Sequence, residues 1–405
     1  MRRVYYGWPM VVALALAQMV SWGVVDYAFT VFVDPMRQSL GWSNASIAGA
    51  FSLGLLVAAL VALPFGRWLD AHGPRLLMSA GSALSVSLLL AWSQARDLWE
   101  FYLIWTGLGI AMGAILYEPA FFTVAIWFHR RRGQALATLT FIAGFASAIF
   151  IPLAGWLAQT QGWRGALITL ALIVAAVTLP IHLFVLRRRP SDLGLAPDGD
   201  ALAPAAWPDA PAAGAPGISL AEAIRDRAFW LLAGAFFCAT FVTSAIFVYL
   251  VPYLITRGAA PALAASVTGA VGVVALPGRT LLVGLSRRRG VAVALFLALF
   301  AGLLALVLIP GVGGVVAFVA LFGAGFGASA PLRAALLAER YGAASFGAIN
   351  GAVALALNLA RALAPVSIGA LYGAVGGYEP VFWALATLCA LAAGLMALTG
   401  LSGWR

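Results

Sequence analysis

Twelve times along the chain a run of about twenty or more residues passes almost without charge, as in Trp8 to Phe32 and Val291 to Pro310. About 20 residues of helix, at 1.5 Å each, cross the hydrocarbon core of a bilayer. The runs lie near 8–32, 44–66, 75–95, 98–127, 134–158, 165–186, 229–254, 262–284, 291–310, 313–337, 346–374 and 379–402. With 63% hydrophobic and 9% charged residues, the chain carries more apolar surface than a soluble core can absorb, since soluble domains are roughly half apolar and a quarter charged. Lipid satisfies no backbone N–H or C=O, so each run is expected to be a helix. The fold expected is an all-α membrane protein of twelve transmembrane helices.

The pattern breaks once, between Arg187 and Ala228, where Pro190, Pro197, Pro204, Pro208, Pro211 and Pro216 accumulate. Such a stretch reads as a flexible linker, and Ser219 to Arg227 reads as a short amphipathic helix entering the seventh span. The organisation expected is a six-helix bundle over 1–189, a cytoplasmic linker over 190–228 and a second six-helix bundle over 229–405. The halves echo each other. Pro35 and Gly41 match Pro252 and Gly258 in spacing, Gly109 and Gly113 match Gly323 and Gly327, and Pro152 and Gly155 pair with Pro365 and Gly369. Small residues so spaced let helices approach closely, and their recurrence favours two pseudo-symmetric copies of one unit.

The net charge of +10 comes from 24 basic residues, all arginine. They cluster at Arg130 to Arg132, Arg187 to Arg189 and Arg287 to Arg289, in every second loop between the spans. That is the positive-inside pattern, which reports topology rather than a nucleic-acid surface. It predicts both termini in the cytoplasm, with only Arg37, Arg96, Arg164 and Arg257 outside. Met1-Arg2-Arg3 runs into the first span with no small-residue cleavage site, so an uncleaved first helix is expected in a multi-pass protein of a bacterial inner membrane. Cys238 and Cys389 lie within spans and read as packing residues. With three histidines, at 72, 129 and 182, and neither H-E-x-x-H nor G-x-S-x-G, no metal, cofactor or enzymatic site is expected.

Between the second and third spans lies Gly66-Arg67-Trp68-Leu69-Asp70-Ala71-His72-Gly73-Pro74-Arg75. Through Gly66, Leu69, Asp70, Gly73 and Arg75 it resembles the signature loop of the major facilitator superfamily, although Ala71 and Pro74 stand where that superfamily usually has basic residues. The glycines permit a tight turn. Asp70 can meet a helix N-terminus or an arginine, a contact that would hold one access state. The loop at Gly284 to Gly290 has no acid. Gly7-Trp8 and Trp127-Phe128-His129-Arg130-Arg131-Arg132, followed by Ala135 and Ala137, resemble the two signatures of the branch that holds monocarboxylate transporters and oxalate-formate antiporters. The resemblance implies two bundles rocking about a midplane site, a small organic anion as substrate and a proton as co-substrate.

Ionisable side chains inside spans are costly unless they face a cavity or a partner. Here they are Asp26, Glu118, Arg279 and Arg361, with Arg333 and His182 nearer the ends. The resemblance implies that Arg279, on the eighth helix, binds the substrate carboxylate, a task suited to a guanidinium fork. A structural pair with Asp26 or Glu118 is the other reading. Arg361 is either a second anion contact or a structural partner. Glu118, between Tyr117 and Pro119, is read as a proton carrier or as the partner of a buried arginine, with Asp26 as the alternative proton site. His182 reads as interfacial. Tyr27, Tyr117, Phe121, Tyr249 and Tyr253 either line a cavity with Trp22 and Phe122 or pack. The function expected is secondary transport of a small organic anion, a monocarboxylate, with a proton by alternating access. The alternatives are efflux of amphipathic compounds, if the cavity is largely apolar, and a membrane sensor that does not transport.

Overall fold

In a computed structural model describing residues 5–199, 217–281 and 289–401, the apolar runs are helices. The described residues form no strand, only an isolated bridge between Gly217 and Gly342. Among the described residues, ten helical runs are long and apolar enough to cross a bilayer. One of them, Arg132–Val185, has 54 residues, about 80 Å of helix against a core of about 30 Å. Gly162, at φ 71° and ψ 165°, divides it into two crossings. Helix Pro261–Leu281, of 21 residues, supplies the remaining crossing of an all-α, twelve-span membrane protein. Met1 to Arg3, Pro204 to Pro216 and Gly284 to Arg288 lie outside the described residues.

The chain divides into two compact units, Met1–Ile218 with Tyr341–Leu355, and Ser219–Arg340 with Ala356–Arg405. One of its boundaries, between Ile218 and Ser219, lies within 190–228; the others fall after Arg340 and Leu355. Residues 341–355 join the first unit because their backbone is bonded to it, as described below.

In the first unit, spans stop where glycine takes a left-handed turn. Gly41 (φ 71°) ends helix Phe29–Leu40, and Gly73 (φ 78°) ends Asn44–His72, with Pro74 opening the next helix. Only glycine adopts such φ values without strain. Ser43 caps Asn44–His72 by accepting the Ser46 N–H at 3.0 Å. Near one end Phe29, Phe51, Trp92, Phe101 and Trp105 interlock with ring centroids 4.5–6.2 Å apart, and the Trp92 indole donates to the Met36 sulfur at 3.3 Å.

The echo between the halves has a packing counterpart. A Cβ on Gly109 would collide with the Gly54 carbonyl, so the second and fourth spans cross with their backbones in contact. In the second unit a Cβ on Gly327 would collide with the Ala275 carbonyl, so the eighth and tenth spans cross in the same way. Gly258 (φ 87°) follows Arg227–Thr256 as Gly41 follows the first span.

The two branch signatures, far apart in sequence, pack together. Trp8 and Phe128 meet edge to face at 5.0 Å, and the Tyr5 hydroxyl donates to the Trp127 carbonyl at 2.8 Å. The three arginines that follow have different fates. Arg132 is buried and caps the helix before it, its Nε and Nη2 donating to the carbonyls of Phe128 and Ala125 at 3.0 Å each. Arg130 reaches Asp198 of the linker at 3.9 Å, while Arg131 is exposed. Asp198 sits at φ 62°, a conformation that Asp tolerates better than most residues. Its carboxylate accepts the N–H groups of His129, Arg130 and Arg131 at 3.1, 2.7 and 3.2 Å. The stretch Pro197–Gly199 is thus strapped onto the first unit. Asp198→Ala is expected to speed amide hydrogen exchange at residues 129–131 by about tenfold, the scale of lost charge-assisted bonds; unchanged protection would mean that the strap holds nothing.

The predicted amphipathic helix is Leu220–Arg225, closed by a capping box in which Ser219 Oγ and Glu222 exchange bonds. The Ser219 N–H and hydroxyl hold the exposed Glu222 carboxyl below its ordinary range. Asp226 then caps Arg227–Thr256 through the Ala228 N–H at 3.0 Å and pairs with Arg340 at 2.8 Å. Cys238 and Cys389 are buried free thiols.

Candidate functional site

Two spans of the first unit are interrupted. The first runs as α-helix over Gly7–Ser21, opens into a π turn over Trp22–Tyr27 and resumes at Phe29. The Ala28 N–H reaches back to the Gly23 carbonyl at 2.9 Å, and the Phe150 ring lies where a side chain on residue 23 would be. The fourth span is helical over Leu98–Ile115, extended at Leu116 (φ −80°, ψ −154°) and helical again over Tyr117–Trp127. Interrupted helices are the usual means of building a polar site in a membrane, because they expose backbone groups and turn side chains out of register.

The interruptions meet at Trp22. Its ring lies 5.0 Å from that of Tyr117 and 6.2 Å from that of Tyr27, and Tyr117 stacks on Phe121 at 5.0 Å with a 6° interplanar angle. Tyr27, Tyr117, Asp26 and Glu118 are half-buried, whereas Phe121 is fully buried and backs the Tyr117 ring. Five of the predicted aromatics, Trp22, Tyr27, Tyr117, Phe121 and Phe122, and both predicted proton sites therefore lie on the interrupted elements. Sequence reasoning missed Gln18 and Ser21. Both are fully buried, and Gln18 Nε2 donates to the Ile115 carbonyl at 2.5 Å. A polar amide inside an apolar span was the available signal.

In the second unit Arg279 and Arg361 are half-buried, each beside a proline of its own helix, Pro277 and Pro365. The Tyr249 hydroxyl donates to the Pro365 carbonyl at 2.7 Å. Tyr253 is otherwise engaged. Its ring is buried against Phe382 at 3.9 Å, and its hydroxyl accepts from Arg257 Nη1 at 3.0 Å. Arg333 is buried. His182 lies on a π turn over Ile181–Val185 and is buried, with Nδ1 2.7 Å from Ser82 Oγ.

The last turn of helix Asn44–His72, rather than the loop after it, presents Asp70 to the start of helix Phe346–Val375. Oδ1 accepts the Gly347 N–H and Oδ2 the Ala348 N–H, both at 2.8 Å. Gly66 and Gly347 pack backbone to backbone, each lying where the other's Cβ would be. A carboxylate on the orphan N–H groups of a helix start is favoured both by hydrogen bonding and by the helix dipole. Gly73 makes room for the Arg188 side chain, whose Nη2 donates to the Ala71 carbonyl; Arg75 is exposed. No group of His, Cys, Asp or Glu among the described residues could hold a metal.

A family model described as Major Facilitator Superfamily matches residues 14–365. An oxalate:formate antiporter of Oxalobacter formigenes is 25% identical over 249 residues, 60% of this chain and 54% of its own length. Monocarboxylate transporter 11 of Mus musculus is 31% identical over 207 residues, 50% of this chain and 43% of its own. The chain spans about half the length of the curated relatives it matches. Among solved structures, the transporter FucP in its outward conformation has a TM-score of 0.75 at 15% identity, covering 97% of this chain and 99% of that one. The human organic anion transporter MFSD10 has a TM-score of 0.70 at 16% identity, covering 96% and 99%. At these identities the structural likeness shows the fold.

Proposed function

Because the chain belongs to the major facilitator superfamily, and is therefore a membrane transporter rather than an enzyme, we propose that it moves a small monocarboxylate together with a proton by alternating access. The observation that carries the reading is the pair of half-buried carboxyls, Asp26 and Glu118, on the two interrupted spans beside Trp22, Tyr27 and Tyr117. Acidic groups at membrane depth are expensive to keep and serve ion or proton pathways. Glu118 takes the proton, with Asp26 as the second site. Arg279 takes the carboxylate through two parallel N–H donors, aided by Arg361 and Tyr249. Moving a proton with an anion cancels the charge that would otherwise cross a low-dielectric core. The relatives named for oxalate, formate and monocarboxylates support the substrate class. The Asp70 contact with helix Phe346–Val375 serves as the gate, holding one access state. Both termini and the arginine clusters face the cytoplasm.

The test is uptake of radiolabelled lactate and other small monocarboxylates into proteoliposomes, with and without an inward proton gradient. Wild type is expected to show gradient-stimulated uptake, Arg279→Ala about a hundredfold less and Arg279→Lys about tenfold less, since lysine keeps the charge but loses the fork. Glu118→Gln is expected to lose the stimulation. Melting curves of each variant control for a stranded buried charge. Undiminished uptake by Arg279→Ala, or none by well-folded wild type, would turn the assignment to efflux of amphipathic compounds.

A further inference from the structure

Pro119 has no N–H, so the carbonyl four residues earlier, that of Ile115, has no helical donor. A proline alone does not break a span in this protein, because Pro64, Pro252 and Pro331 all lie inside helices that continue through them. What distinguishes the fourth span is a donor from a neighbouring helix. Gln18 Nε2 reaches the Ile115 carbonyl at 2.5 Å, next to the one extended residue, Leu116. A carbonyl can only accept, so the amide nitrogen must face it. Gln18 Oε1 is thereby turned the other way and, fully buried, has no hydrogen-bond partner among the described residues. Leaving an amide oxygen unsatisfied in the interior is costly, and such groups are rare enough to call for a reason. Ile115 needs the donor more than Gln18 needs an acceptor.

We propose that Gln18 is a positioning residue for Glu118. By bonding the carbonyl that Pro119 leaves free, it stabilises the break at Leu116 and so fixes the orientation in which Tyr117 packs against Trp22, tilted at 43°, and Glu118 is presented. Without it, the span relaxes toward a continuous proline-containing helix like those at Pro64 and Pro331, and Glu118 turns with it. The assignment rests on reading Glu118 as the proton site. The link between Gln18 and Pro119 does not, and it can be measured without any substrate.

Four proteins test the link between Gln18 and Pro119: wild type, Gln18→Leu, Pro119→Ala and the double variant. Pro119→Ala restores an N–H for Ile115, so Gln18→Leu is expected to lower the melting temperature clearly in the proline background and little in the alanine background. Equal losses in both backgrounds would overturn the link. The orientation of Glu118 is read from acid-minus-base infrared difference spectra in the carboxyl region, where the Glu118 band is the one that Glu118→Gln removes. It is expected to shift in frequency in Gln18→Leu and in Gln18→Asn, whose amide is too short to reach. A band unmoved in both variants would overturn the positioning role, since a merely structural loss of stability leaves it in place. If wild type takes up no carboxylate, the transport reading fails while both measurements still decide this one. If it does, gradient-driven uptake by Gln18→Leu is expected to fall about tenfold, the scale of one buried hydrogen bond; uptake at the wild-type rate would count against the proposal.

Discussion

Replacing Asp70 with asparagine is expected to slow transport about a hundredfold while the protein still folds. The carboxylate gives one oxygen to the Gly347 N–H and the other to the Ala348 N–H. Asparagine is nearly the same shape but has one oxygen, so its NH2 group must face one of those N–H groups, donor against donor. That strands a helix-start N–H at about 1–3 kcal/mol and removes a charge worth about 0.3–1 kcal/mol against the helix dipole. A loss of about 2–3 kcal/mol from one access state shifts its population by about two orders of magnitude. Substrate counterflow in proteoliposomes, with melting curves as a fold control, is the measurement. Counterflow at the wild-type rate would show that the Asp70 contact is not a gate. Glutamate should not rescue, because its extra methylene carries the carboxylate past the two amides, which are held at the Gly66–Gly347 backbone contact.

The second large effect is on folding. Gly109→Leu and Gly327→Leu are each expected to yield no folded protein in mild detergent. A Cβ at either position meets a backbone carbonyl, Gly54 or Ala275, rather than a side chain that could swing away. Relief requires two spans to separate, which sacrifices packing along the whole crossing and costs more than the roughly 1–3 kcal/mol of ordinary overpacking. Against a total stability of about 5–15 kcal/mol that is decisive. Gly155→Leu is the control, since nothing lies within 4 Å of a Cβ at that position. Size-exclusion profiles and yields distinguish the cases, and a monodisperse Gly109→Leu protein would refute the claim that the spans touch there.

The glycine pairs show what kind of information was legible. Gly109 with Gly113 and Gly323 with Gly327 stood out by spacing, and the crossings they permit recur in both units. The spans themselves were legible because lipid leaves the backbone no alternative to helix. Asp70 was readable as a residue seeking a helix start, but not that the helix would be Phe346–Val375, nearly three hundred residues away. The run Arg130 to Arg132 is three identical letters with three different environments, and only Asp198 and the carbonyls of Ala125 and Phe128, brought there by folding, tell them apart. Tyr253 was indistinguishable from Tyr249 until Phe382 and Arg257 were seen against it. Gln18 left the faintest trace. Its meaning lies in a carbonyl 97 residues on, freed by a proline whose significance was clear only for its own helix.

The π turn at Trp22–Tyr27 is, in the arithmetic of the helix, one surplus letter. An α-helix advances about 100° per residue, so a chain lacking one residue there would keep its span but rotate everything up to Gly41 by that angle. Phe29 and Phe32 would leave Trp92, and Met36 would lose its indole bond. Viewed as a record of descent, the surplus residue and the aromatic cluster beyond it form one heritable character. A lineage that drops the first must rebuild the second, so length changes in this span should be found only together with altered residues at 29, 32, 36 and 92.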